Sequence, residues 1–324
     1  MDILLTIIPS AIAIATIFLF GCVGETVMEK AGHLNLGIPG VMCFGCFGGC
    51  LGVSWMMSAY SNNPEATPYF LLMLVAILTS IAFSMIAGLI YALLTVTLKC
   101  NQNVTGLALT TFGAGFADYF MNVISKNNFA VASKIIKSKL PFGTTTGGFG
   151  LLFFNYSFLV YFGIIVAVIT FFVLRKTGIG LSLRAVGENP GTADAAGINV
   201  TKYKYFSILG GSAIAGLGGL YYVMDSIGGS WSNSMTLQAF GWLSIALVIF
   251  SIWNPLIAII GSFLFGLLYI LPNFITGISS FQSKLLDIIP YAVTVIVLIF
   301  TSIFGKKNVQ PPEALGLAYF REER

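Results

Sequence analysis

Residues 175–205 read RKTGIGLSLRAVGENPGTADAAGINVTKYKY, a polar stretch set between two apolar runs, 151–174 and 206–224. Five of the sixteen basic residues fall inside it: Arg175, Lys176, Arg184, Lys202 and Lys204. Short loops rich in Lys and Arg stay on the cytoplasmic side of a membrane, so this stretch reads as the main inward-facing loop of a polytopic protein. It also carries local structure. In GENP, Glu188, Asn189 and Pro190 offer a turn and a helix start, and Asp194 suits the first turns of the helix. Ala193, Ala195 and Ala196 favour the helix, and Gly197 is placed to end it. The stretch reads either as a solvated loop or as a short rigid helix suited to docking something in the cytosol.

Composition extends the membrane reading to the whole chain. Of 324 residues, 57% are hydrophobic and only 9% charged, against about a quarter charged in soluble domains. The mean hydropathy of +0.91 agrees. The expected fold is all-α: one transmembrane helical bundle over residues 1–324, with about 8–10 spans, nine by direct count. It includes a broken or re-entrant segment, an inner loop over 175–205 and a cytoplasmic tail over 305–324. Glycines suit close packing between such helices. No basic face lies outside the loops and no recognition motif is present, so nucleic acid is not an expected partner, whereas membrane lipid is.

The first apolar run, 3–20, is preceded by Asp2 rather than a positive charge, which favours a retained span over a cleaved signal. Next comes ETVMEKAGHLNLGIPGVM, with Glu25, Glu29, Lys30, the single His33 and Asn35 ahead of Gly37, Pro39 and Gly40. A regular helix is hard to sustain there. Irregular backbone at membrane depth is tolerated where it is buried in protein or lines a cavity. The segment is thus either a broken element presenting Asn35 to a pathway or a turn before the span at 41–53. The run 69–98 exceeds one span, which predicts a tilt or a break near Gly88. Then Gln102, Asn103 and Thr105 open a span that carries Asp118 and Asn122. Asp118 reads as functional if it faces the interior and as interfacial otherwise. Residues 127–150, with Lys134, Lys137, Lys139 and GTTTGG, form an expected outer loop, which is either solvated or suited to an acidic partner. Trp242 lies in the span before the inner turn at Trp253, Asn254 and Pro255.

Three cysteines, Cys43, Cys46 and Cys50, share i, i+3, i+7 spacing. They sit among glycines in an apolar run and lack the fourth thiolate of an iron–sulfur site, so they read as small packing residues. No phosphate-cradling GxxxxGK[ST] motif, metal cluster, nucleophile elbow or carboxylate pair deep in a span occurs. The chain is not expected to be an enzyme, to bind ATP or to hold a metal. An ion-coupled secondary transporter would need buried ionisable residues, for which Asp118 is the main candidate.

Four stretches, GETVMEKAGHLNLGIPGVM, NQNVTGLALT, LRAVGENPGTADAAGINVTKYKY and VIFSIWNPLIA, together with PEALGLAYFRE near the end, resemble the permease subunits of bacterial ABC importers for nucleosides and simple sugars. That group is related to the branched-chain amino-acid permeases. The resemblance covers nearly the whole chain, and the three cysteines and Pro39 depart from its usual pattern. It implies an inner-membrane importer subunit for nucleosides, or for sugars or riboflavin, with its C-terminus in the cytoplasm. It places coupling to an ATPase on Glu188, Asn189, Pro190, Ala193, Asp194, Ala195, Ala196 and Gly197. It also implies a second permease chain, an external binding lipoprotein and a partner ATPase that alone binds ATP and Mg. A pathway for such solutes needs hydrogen-bonding groups in an apolar channel, for which Asn35, Gln102, Asn103, Thr105 and Trp242 are the candidates.

Overall fold

The longest helix, α1 (Asp2–Glu29), runs through the middle of the bundle and carries Pro9 near its start. It packs chiefly against helices from the second half of the chain, and its own second half is buried from Ile17 to Glu29 apart from the half-buried Val27. Its end is built by Gly32, whose φ of +83° lets the His33 amide reach the Met28 carbonyl and the Gly32 amide reach that of Glu29. That crossed pair of bonds is the Schellman closure. The helix therefore outlasts the span expected at 3–20, and the broken segment shrinks to 30–37.

The computed structural model describes residues 2–138, 154–275, 279–286, 288–304 and 310–320. After the break come α2 (Ile38–Ala59), α3 (Tyr69–Ala92), α4 (Gln102–Val123) and the short α5 (Phe129–Ile136). The second half holds α6 (Phe158–Lys176), α7 (Gly178–Glu188), α8 (Pro190–Ala195), α9 (Val200–Tyr221), α10 (Met235–Phe250), α11 (Pro255–Ile270), α12 (Ser280–Leu286) and α13 (Ile289–Phe304). No strand occurs among the described residues. Six helices are long and apolar enough to cross a membrane. The expected count is about nine; the more polar α4 packs on α2, and the shorter α10 and α13 pack into the same bundle.

The centre is held by close approach of backbones. A Cβ on Gly219 of α9 would overlap the Met42 carbonyl of α2, one on Gly24 of α1 the Gly211 carbonyl of α9, and one on Gly45 of α2 the backbone of Gly216. Without a water-driven hydrophobic force between helices in lipid, van der Waals contact of this kind supplies much of the association. Cys43, Cys46 and Cys50 are fully buried and unpaired on α2. Bulky apolar residues of α3 and α6, among them Phe70, Leu78, Ile165, Ile169 and Phe172, face outward.

Three expectations are corrected. Gly88 does not break α3: it lies against Ser212 of α9, and the irregularity comes later, as a π turn over Leu93–Thr97. Pro39 and Gly40 do not disrupt the chain but lie in the first turn of α2, where a missing amide costs no helical bond. The stretch 127–150 contains α5, whose Ser133 hydroxyl donates to the Met224 carbonyl at 2.6 Å; Lys139 and GTTTGG lie outside the described residues.

Candidate functional site

The polar stretch at 175–205 folds into a corner of two helices that lead into a third. Thr177 caps α7, its hydroxyl accepting from the Gly180 amide at 3.1 Å. Asn189 caps α8, its side-chain oxygen accepting from the Thr192 amide at 2.9 Å, with Pro190 as the first helical residue. Gly197 closes α8 at φ +83°: the Ile198 amide reaches the Ala193 carbonyl and the Gly197 amide that of Asp194. Asn199 then caps α9 through the Lys202 amide at 2.9 Å. Each cap satisfies donors that a helix end leaves open, so the corner is rigid although α8 has only six residues.

The eight residues assigned to coupling divide by burial. Ala193 is buried against Val186 of α7 and Val200 of α9, anchoring the corner. Ala195, Ala196 and Gly197 are exposed, with Asp194 and Pro190 half-buried beside them. The exposed surface of α8 is therefore nearly flat and free of bulky side chains.

Residues 310–320 form a strap across this end of the bundle. The Ala314 amide donates to the Gly187 carbonyl at 3.0 Å, and the Gly316 amide to that of Gly32 at 3.2 Å. Tyr319 Oη donates to Asp194 Oδ2 at 2.9 Å. Gln102 clamps two elements at once: Oε1 accepts from the Leu34 amide at 2.9 Å, and Nε2 donates to the Leu317 carbonyl at 3.3 Å. The strap thus joins the end of α7, the exposed α8, the break at 30–37 and the start of α4.

The break itself has its polar backbone satisfied inside the protein. The Asn35 amide donates to Glu25 Oε1 at 2.8 Å, and its Oδ1 accepts from the Gly37 amide at 2.9 Å. Tyr91 and Thr110 hydroxyls donate to the Leu34 and Leu36 carbonyls at 2.8 and 2.9 Å. On the other flank Trp253 Nε1 donates to Glu29 Oε2. Trp253 and Ile252 both take positive φ, 51° and 55°, a conformation that costs a β-branched residue energy and persists only where surroundings enforce it. Lys30 lies over the Trp253 ring, 5.8 Å from its centre. Burial pushes the Lys30 ammonium down from its ordinary pKa, while Glu188 opposes that shift.

Of the pathway candidates, Asn35, Gln102 and Thr105 come together where α4 starts against the break, but Asn35 and Gln102 are fully buried and committed to the bonds above. Thr105 borders a small apolar cavity of about 180 Å³. Asn103 is exposed, and Trp242 is half-buried on α10, next to Gly241, which packs on Pro39. Asp118 Oδ2 accepts from the Ser234 hydroxyl at 2.7 Å, joining α4 to the start of α10. Sequence reasoning missed the α7 helix and the partners of Glu25, Glu29 and Gln102. The buried spacing Gly180, Leu183, Val186 was the available sign of α7. Among the described residues no three His, Cys, Asp or Glu side chains gather as a metal site would need.

Comparison with known proteins places this architecture. Residues 7–298 match the family described as the branched-chain amino acid transport system / permease component. The nucleoside ABC transporter permease protein NupC of Lactococcus lactis subsp. cremoris is 30% identical over 98% of this chain and 97% of its own length. The guanosine ABC transporter permease protein NupQ of Bacillus subtilis is 26% identical over 100% and 99%. NupB, a second nucleoside ABC transporter permease protein of the same Lactococcus, is 23% identical over 75% of this chain and 65% of its own. With its apolar helices and a match across most of its length, this chain is a multi-pass membrane protein and belongs to the permease-component family of branched-chain amino acid transport systems.

Proposed function

We propose that the chain is the membrane-spanning subunit of an ATP-driven importer whose solute is a nucleoside. The observation that carries the solute class is the end-to-end similarity to nucleoside and guanosine permeases. The observation that carries the mechanism is the capped, small-faced helix α8, held rigidly on α7, α9 and the strap. A partner ATPase that closes on ATP and Mg pushes on Ala195, Ala196 and Gly197 from the cytoplasm, and α9 transmits the displacement into the bundle. This subunit itself catalyses nothing and needs no cofactor. Its C-terminal strap lies in the cytoplasm, the membrane is that of a bacterial cell, and an external binding lipoprotein delivers the solute to the opposite face.

A second, homologous permease completes the pathway. Lactococcus lactis and Bacillus subtilis each hold two distinct relatives of this chain, NupB with NupC and NupP with NupQ, which supports a heterodimer. Asn103, Thr105 and Trp242 line the pathway in this reading, and Asn35 and Gln102 hold its wall in shape. The test is uptake by proteoliposomes that contain both permeases, the ATPase and the binding protein. ATP-dependent accumulation of labelled guanosine or uridine is expected. Accumulation of a sugar with no response to nucleosides would overturn the solute class, and uptake driven by an ion gradient without ATP would overturn the mechanism.

A further inference from the structure

Beside the coupling corner, the π turn after α3, the end of α8, the start of α9 and Tyr319 of the strap line an open cavity of about 620 Å³. Three lysines line it, Lys99, Lys202 and Lys204, together with the capped start of α9, a helix of 22 residues. The Lys99 and Lys202 ammoniums lie over the Phe320 and Phe206 rings, 4.2 and 5.8 Å from their centres. Helix starts present free amides and a positive dipole end to anions. The carboxylate on the cavity wall, Asp194, receives the Tyr319 hydroxyl.

Lys204 is the unusual member. It is only 3% exposed, lines the cavity, and its ammonium has no hydrogen bond or ion pair among the described residues. A buried charge is retained where something pairs with it. Behind it stands His33, 1% exposed, with neither ring nitrogen hydrogen-bonded. Burial first, and then the charge of Lys204, holds the His33 imidazole well below its ordinary pKa, so it stays neutral and supplies no counter-charge.

We propose that this cavity binds a phosphate group, carried either on an anionic phospholipid headgroup or on a soluble phosphate ester. Three lysines and a helix start lining one space suit a group with several charged oxygens. The lipid source has a route, because Leu98 and Phe206, 65% and 63% exposed, flank the lysines on the outer surface of the bundle. Basic pockets between membrane helices on the cytoplasmic side hold anionic headgroups. The site is independent of which solute the transporter carries.

The experiment uses the assembled transporter in nanodiscs, read by melting temperature and by mass spectrometry of retained phospholipid. One arm compares phosphatidylcholine discs with discs containing phosphatidylglycerol; the other titrates inorganic phosphate and AMP into phosphatidylcholine discs. Stabilisation in the first arm identifies a headgroup, and stabilisation in the second a soluble ester. Lys204→Met should abolish the response in whichever arm shows it. Should that variant not assemble, the double change of the exposed Lys99→Gln and Lys202→Gln should weaken binding about thirtyfold. The proposal fails if neither arm responds, as when a partner's acidic side chain fills the cavity. It also fails if glutamate stabilises as much as phosphate, or if all variants respond like the parent.

Discussion

The hydroxyl of Tyr319 donates to the carboxylate of Asp194 at 2.9 Å, fastening the strap to α8. A hydrogen bond to a charged group contributes about 1.5–3 kcal/mol when sheltered, and less at a half-exposed site such as this. Tyr319→Phe should therefore loosen the strap by about 1 kcal/mol without unfolding the bundle. Limited proteolysis should cut the 310–320 segment faster, and solute-stimulated ATP hydrolysis should fall relative to the basal rate. Unchanged cleavage and unchanged stimulation would show the strap to be irrelevant to coupling.

Burial separates two alanines on α8 that look alike in the sequence. Ala195 is exposed and Ala193 is buried against Val186 and Val200. Ala195→Trp should leave the protein folded in the membrane but abolish uptake and solute-stimulated ATP hydrolysis. Ala193→Trp should instead lower yield and melting temperature, because overfilling a packed site costs about 1–3 kcal/mol. Normal coupled transport by the Ala195→Trp protein would remove α8 from the mechanism.

Two glycines of α9 give a matched pair. At Gly219 an added methyl would meet the Met42 carbonyl and the Cys46 backbone, whereas at Gly210 nothing lies within 4 Å. Gly219→Ala should sharply reduce the amount of folded protein in the membrane. Gly210→Ala should leave it unchanged or slightly raised, since Ala is favoured over Gly in a helix interior by up to about 1 kcal/mol. Equal yields from the two variants, read by size-exclusion fluorescence, would contradict the packing described for α2 and α9.

Cys100 alone among the five cysteines is exposed, and it lies at the same end of the bundle as the strap. A thiol reagent that cannot cross membranes should modify the unmutated protein once, at Cys100, in inside-out vesicles and not in intact cells. Labelling of intact cells would invert the proposed orientation. Modification of Cys43, Cys46 or Cys50 would contradict their burial on α2.

The parts of this end that the sequence made readable are those set by neighbours in the chain. Asn189, Pro190 and Gly197 fulfil cap roles that depend on a few adjacent residues, so their pattern alone located α8. Span positions followed from apolar length for the same reason. The bond between Trp253 and Glu29 crosses 224 positions, and Gln102 meets Leu317 across 215. Neither leaves a local pattern. Gly88 misled because a glycine that kinks a helix and one that admits a neighbouring serine look the same in one dimension. Asn35 and Gln102 looked like pathway residues because polarity in an apolar chain signals function, yet here it satisfies the backbone of a broken segment.

The glycine contacts also decide where motion can occur. Each is a notch one residue wide, so sliding α9 along α1 or α2 by a single residue would drive a side chain into a carbonyl. The same interlock ties α11 to α1, where Gly266 meets the Ala11 carbonyl. In the proposed mechanism a push delivered at α8 is therefore not absorbed by shear between these helices, which are expected to move as one block. In the proposed importer the moving joint then lies at the outer boundary of this chain, where the second permease is proposed to sit, with the bundle serving as an undeformed lever.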